Sequence, residues 1–108
     1  MVIIAIEEYA KKNPHVVEKF LRAYQRGYDF IKANPKQAGE LIASDVKLTA
    51  EQFSKVLPKF DYVIVVRPEH VEELKKTEEF LRSHELSKNP VDIDAFVDTR
   101  YLKAVGLK

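Results

Sequence analysis

Cysteine and tryptophan are absent from the 108-residue chain, and methionine occurs once. Without cysteine there is no disulfide, no thiolate metal site, no iron–sulfur cluster and no thiol nucleophile, whichever compartment the chain occupies. Glycine is nearly as scarce. Gly27, Gly39 and Gly106 stand far apart, so no phosphate-cradling glycine loop can be built from them. An excess of one charge is missing too: 18 basic against 17 acidic side chains leave a net charge of +1. No broad field gathers nucleic acid or an anionic membrane surface. The longest apolar runs, Val2–Ile6 and Val63–Val66, fall far short of the ~20 residues that span a bilayer. Met1–Ala10 has no basic head, long apolar middle or small-residue cleavage site, so the chain as written reads as cytoplasmic.

What is present is globular material. Hydrophobic residues make up 45% and charged residues 32%, which suits a single domain over residues 1–108. Lys and Glu dominate the charged set, a composition that leans towards a heat-adapted source.

Val2-Ile3-Ile4-Ala5-Ile6 is a continuous, largely β-branched run and reads as a short buried strand. Glu7 to Lys12 reads as a short helix with Glu7/Lys11 and Glu8/Lys12 pairs. Asn13-Pro14 then opens the longest helix, which runs to Ala33. Val17, Phe20, Leu21, Tyr24, Tyr28 and Ile31 form one apolar stripe along it. Asn34-Pro35 opens a shorter helix to Ser44, with Asn as N-cap in both cases. Thr49 and Gln52 make a capping-box pattern for a helix ending near Leu57-Pro58. Tyr62–Val66 is the second strand-like run. A helix from Pro68 to His84 follows, with Val71, Leu74, Phe80 and Leu81 inward and Glu72/Lys76 and Glu78/Arg82 paired outward. Asp92 or Asp94 caps a short helix through Val97, and a last turn covers Thr99 to Val105. The expected fold is mainly α with two short β-strands.

Side chains able to do chemistry are few and scattered. His70 and Glu73 share a helix face at i,i+3, but no second His or Cys pair completes a metal site. His15 and His84 stand near helix ends and read as surface or capping residues. The carboxylate pairs Glu7/Glu8, Glu72/Glu73, Glu78/Glu79 and Asp92/Asp94 sit beside basic residues or at helix starts. General acid–base work needs carboxyls in unlike environments within a cleft. No serine stands in a nucleophile-elbow pattern. The sequence therefore offers no catalytic residue, no metal ligand set and no cofactor motif, and the expectation is a non-enzyme. Phe20, Tyr24, Tyr28, Phe30, Phe53 and Phe80 follow helical spacing and read as core. Tyr9, Tyr62 and Tyr101 fall at element edges.

Lys36–Leu57 also fits a helix-turn-helix: Pro35–Ala43, a turn over Ser44–Leu48, and Thr49–Leu57 as reading helix. That helix offers Glu51 and Gln52 in its first turns and Lys55 as its one cation, and the turn has no glycine. Base-edge and phosphate readout calls for more donors. A small DNA-binding regulator is thus the alternative reading, and a helical protein-interaction module another; the neutral charge argues against nucleic acid as partner.

Longer patterns carry a resemblance. Glu7-Glu8-Tyr9-Ala10-Lys11-Lys12-Asn13-Pro14 followed by Val16–Tyr24, then Asp29–Pro35 and Gln37-Ala38, resembles the C-terminal part of ABC-importer solute-binding proteins. The matching branch is the nitrate, sulfonate and taurine type, which includes relatives binding thiamine precursors. Glu78–Leu81, Asn89–Asp92, Phe96–Asp98 and Tyr101-Leu102 continue it, with Ser83-His84-Glu85 where the family has glycine. The resemblance implies part of an α/β lobe of the type II periplasmic-binding-protein fold, in a family that is periplasmic or extracellular. It implies a non-catalytic fragment or remnant without a complete ligand cleft. The family's anion-binding residues have no counterparts here, so the ligand-binding residues are unknown. Apolar runs without the sheet they would join lead to an expected homodimer, or to pairing with the remainder of a split binding protein.

Overall fold

Proline decides where the first helices break. The residue before proline is pushed out of the α region, and Asn13 and Asn34 take matching non-helical angles, φ/ψ of −131°/55° and −133°/59°. In the computed structural model, which describes residues 2–107, three helices therefore follow one another: α1 Glu7–Lys12, α2 Pro14–Ala33 and α3 Pro35–Val46. The two asparagines do not act as the expected N-caps. Each turns its side-chain amide back to the helix before it, donating to the Tyr9 carbonyl at 3.1 Å and the Phe30 carbonyl at 3.3 Å. An extended N-cap aims its side chain forward at the next helix; the angles before proline aim this one backward.

α4, Ala50–Val56, is capped as its sequence predicts. Thr49 Oγ1 accepts from the Gln52 N–H at 3.1 Å, and Gln52 Oε1 accepts from the Thr49 N–H at 2.9 Å. Such a box stabilises a helix by roughly 0.5–2 kcal/mol. A 3₁₀ turn, Leu57–Lys59, continues α4 through Pro58. The turn between α3 and α4 forms without glycine because Lys47 takes the left-handed conformation at φ 55°. The Leu48 N–H then reaches the Ala43 carbonyl at 3.1 Å, as in a Schellman closure.

α5, Pro68–Ser83, ends in the same manner. Glu85 is left-handed at φ 58°, and the Leu86 N–H bonds the Leu81 carbonyl at 2.8 Å. α6, Ile93–Phe96, and α7, Arg100–Ala104, complete the chain, and Asp92 rather than Asp94 caps α6. The Glu7–Lys11, Glu8–Lys12 and Glu78–Arg82 pairs form as expected. Lys76 instead joins Glu73, and Glu72 joins Lys75.

The mainly α reading holds; the two β-strands and the partial α/β lobe do not. Among the described residues there is no strand. Val2–Ile6 carries no regular structure, and Tyr62–Val66 is likewise irregular. β-branched composition favours a pleated surface that neighbours cover, and a run of five residues with no paired neighbour gains no ladder. Propensity alone does not make a sheet.

The chain divides into two compact units, Met1–Ile64 and Val65–Lys108. In the first, α3 and α4 pack closely and α1 and α3 lie against α2. Its buried side chains include Ala10, Leu21, Ala38, Phe53 and Leu57. Gly39 sits where α3 meets α4: a methyl group there would lie 3.2 Å from the Phe53 ring and 3.4 Å from the Ala50 carbonyl oxygen. In the second unit α6 packs on α5, and Ile93 and Leu102 are buried. The Glu78 carboxylate accepts from the Val91 N–H at 3.2 Å and ties α5 to the segment before α6.

The aromatic stripe is less enclosed than its periodicity implies. Of the six aromatics expected in the core only Phe53 is buried. Tyr24 and Tyr28 are half-buried, and Phe20, Phe30 and Phe80 are exposed, as is Leu81. Among the described residues no large side chain is fully enclosed. Helical spacing fixes which residues share a face, not whether anything covers that face.

Candidate functional site

The sequence candidates for chemistry resolve into local structural roles. The His70 ring accepts from the Arg67 N–H through Nδ1 at 3.1 Å, closing the first turn of α5. His84 stacks on Phe80 with ring centres 4.1 Å apart, and its Nδ1 lies 2.9 Å from the Phe80 carbonyl. His15 is exposed in the first turn of α2. Asp92 Oδ1 caps α6 from 3.3 Å. Asp94 pairs with Lys75 at 3.2 Å, and that hydrogen bond, then its charge, raises the Lys75 pKa. Among the described residues no three His, Asp or Glu side chains gather as a metal site.

α3 and α4 do form two packed helices joined by a short turn, with the first helix longer than the motif reading placed it. The exposed face of α4 carries Glu51, Gln52, Ser54 and Lys55. Glu51 and Lys55 neutralise each other at 2.8 Å, and Ser54 turns its hydroxyl to the Glu51 carbonyl.

What the structure assembles, and the sequence does not announce, is an aromatic ladder beside an apolar groove. Phe20 and Tyr24 stand 5.2 Å apart, Tyr24 and Tyr28 5.7 Å and edge-on, and Tyr28 and Tyr62 5.6 Å. Phe60 closes the series 6.3 Å from Tyr62. Edge-to-face rings at these spacings attract beyond their buried area. At Tyr62 the chain forms a groove of about 830 Å³ whose lining includes Leu57, Pro58, Phe60 and Tyr62 together with Lys32, Lys36, Glu51 and Asp61. In the sequence only the placement of two lysines around Asn34-Pro35 hints at it. The irregular Phe60–Tyr62 segment follows no period, so its contribution has no sequence signal.

Burial raises the pKa of Tyr28 and of Tyr62; for Tyr28 the neighbouring Tyr24 and Tyr62 charges add to the rise. Between the ordinary value of 10.0 and the raised value, the folded chain holds protons that the unfolded chain has released. Stability therefore falls as pH rises through that interval. Following phenolate absorbance against pH gives a late phase in the wild-type chain. Tyr28→Phe and Tyr62→Phe should each remove part of that phase, and an unchanged profile in both would contradict the ladder.

Exposed apolar side chains concentrate in the first unit. Val2, Ile4 and Ile6 are 69%, 76% and 75% exposed, and Tyr9, Phe20, Phe30, Leu41 and Phe60 are exposed as well. Among the described residues no helix is long and apolar enough to cross a membrane.

Comparison with known proteins gives one match. The sequence model of the family described as NMT1/THI5-like, whose members are binding proteins of the nitrate, sulfonate and taurine type, matches residues 1–38. The matched stretch covers the apolar start, α1, α2 and the opening of α3. It contains the resemblance carried by Glu7–Tyr24 and Asp29–Ala38 and none of the later stretches. No curated protein and no solved structure matches the chain.

Proposed function

We propose that the chain is a non-catalytic relative of the solute-binding proteins of nitrate, sulfonate and taurine importers, and that it acts by docking its apolar face on a partner. The observation that carries this reading is a coincidence of position. The residues that match the family, 1–38, are also the residues that hold Val2–Ile6, Tyr9, Phe20 and Phe30 in contact with solvent. A binding-protein helix pair evolved against a covering layer keeps its apolar stripe when that layer comes from elsewhere, and burying each large aliphatic side chain is worth roughly 1.5–3 kcal/mol. Docking rather than turnover also fits the histidines and carboxylates, which cap helices and pair with lysines in place of meeting in a cleft.

On this reading the isolated chain does not retain small anions. Calorimetric titration of the full chain with taurine, short alkanesulfonates and nitrate should give no saturable heat. Stoichiometric binding of any of them would overturn the proposal, since it requires a working solute site. The same titration with a nucleic-acid duplex at low salt separates the helix-turn-helix alternative, whose binding would weaken steeply as salt is added.

A further inference from the structure

Helix α2 carries a second apolar seam besides the stripe that faces its own unit. Val17, Leu21, Tyr24, Tyr28 and Ile31 are buried or half-buried. Val16, Phe20, Ala23, Gly27 and Phe30 follow one another at alternating i+4 and i+3 spacing along another side, and every one of them is exposed. We infer that this seam docks an acidic amphipathic helix of another protein. The inference rests on the reading that the chain works through an apolar face, and it names the place and the partner's chemistry.

Shape selects a helix. Phe20 and Phe30 stand about 15 Å apart along α2, at about 1.5 Å rise per residue, and between them the seam holds Ala23 and Gly27. The Phe20 ring is braced by the Tyr24 ring 5.2 Å away. Two rings above a floor of small residues make a saddle, and a helix roughly 10–12 Å across fits over it. Glycine in mid-helix weakens the helix relative to alanine, and nothing around Gly27 calls for it. Outside the backbone of α2, no atom lies within 4 Å of where its Cβ would stand. Close approach by a partner's backbone is the use that remains. A bilayer surface takes up bulky apolar side chains across a whole face, and a floor of alanine and glycine gives it little to bury.

Charge selects the partner's sign. At about 100° per residue, Lys19 and Arg26 border the seam about 60° and 80° from its middle. The acids of α2, Glu18 and Asp29, fall about 160° and 140° away on the same count, and Asp29 accepts from Gln25 at 2.9 Å. Among the described residues neither Lys19 nor Arg26 is held in an ion pair. The other border of the seam, Val17, Tyr24 and Ile31, is uncharged. A seam edged by cations on one side alone matches a helix with carboxylates along one edge. A second copy matches poorly. An antiparallel twofold pair through the saddle lays both basic edges on one side, with the two Arg26 side chains facing each other. A parallel pair brings Lys19 and Arg26 against the uncharged border.

The test uses the full chain and two synthetic helical peptides with the same leucine seam, one edged with glutamate and the other with lysine. Anisotropy of the labelled glutamate peptide should rise to saturation at one peptide per chain. The lysine peptide should bind roughly tenfold more weakly or worse. Gly27→Leu fills the saddle and should weaken the glutamate peptide by roughly tenfold or more. Open space at Gly27 and the higher helix propensity of leucine keep that variant folded, so the loss reads docking rather than stability. Lys19→Glu with Arg26→Glu should reverse the preference between the peptides, and circular dichroism confirms that each variant folds. Equal binding of both peptides, binding indifferent to Gly27→Leu, or binding of neither overturns the inference. Self-association by light scattering that Gly27→Leu abolishes would give the seam to a second copy. Phe20-dependent binding to vesicles of phosphatidylserine and phosphatidylcholine would give it to a lipid surface. Either result overturns the inference as well. A chain that ignores both peptides and small anions loses the seam's assignment and keeps the proposed function, whereas stoichiometric taurine binding overturns the proposed function whatever the peptides do.

Discussion

Replacing Phe53 by alanine should cost the first unit most of its stability. Phe53 is 7% exposed and, among the described residues, is the one aromatic side chain that is buried, set against the Gly39 backbone where α3 meets α4. Truncating a buried phenylalanine costs roughly 3–5 kcal/mol, part lost transfer energy and part cavity. At 0.05–0.15 kcal/mol per residue, a unit of this size holds only about 3–10 kcal/mol in total. The expected result is a thermal midpoint lower by roughly 12–40 °C, with helical signal already reduced at room temperature. Phe53→Leu should fall much less, because most of the apolar volume remains. A midpoint for Phe53→Ala within a few degrees of wild type, by circular dichroism, would mean that α3 and α4 do not hold the unit together. Gly39→Val tests the same contact from the opposite side. Its branched side chain must displace the Phe53 ring or the Ala50 carbonyl, and overpacking of this kind costs roughly 1–3 kcal/mol.

That contact also shows where the sequence was legible. Helix positions follow from local chemistry: Pro14, Pro35 and Pro68 open helices, Thr49 and Gln52 build the box, and Asp92 caps α6. Each signal acts within one turn of the residue that gives it. Whatever depends on a distant neighbour was hidden. Val2–Ile6 and Tyr62–Val66 have strand composition, yet a strand exists only through its pairing, and no paired neighbour is present among the described residues. The stripe on α2 was visible as a pattern, but its exposure was not, because exposure is a property of the opposing surface. Asn13 and Asn34 suit the N-cap of the helix after them by composition, whereas the pre-proline angles give their side chains to the helix before. The groove has no signal in the sequence because Phe60, Asp61 and Tyr62 reach it through an irregular segment.

The second unit should respond most to the loss of Glu78. This carboxylate is 14% exposed, far less than the other ion-paired acids of α5. It accepts from Arg82 Nε at 2.6 Å and from the Val91 N–H at 3.2 Å. One side chain thus fastens the last half of α5 and holds the chain thirteen residues later in place for α6. Hydrogen bonds to a charged group contribute roughly 1.5–3 kcal/mol, and Glu78→Ala also leaves the Val91 N–H without its partner. For a unit of 44 residues, with about 2–7 kcal/mol in hand, that loss should loosen α6 and its approach well before α5 itself melts. Amide exchange reads this directly, with Val91 protected in the wild-type chain and exchanging freely in Glu78→Ala. Glu78→Gln keeps an acceptor for Val91 while removing the charge from Arg82, so it should retain most of that protection. Asp94→Ala provides the contrast: the Lys75–Asp94 pair is solvent-exposed, and such pairs are worth about 0–1 kcal/mol. Equal exchange at Val91 in wild type and Glu78→Ala would show that Ile93 burial alone positions α6. A graded loss, alanine far beyond glutamine, would assign that role to the acceptor oxygen at position 78.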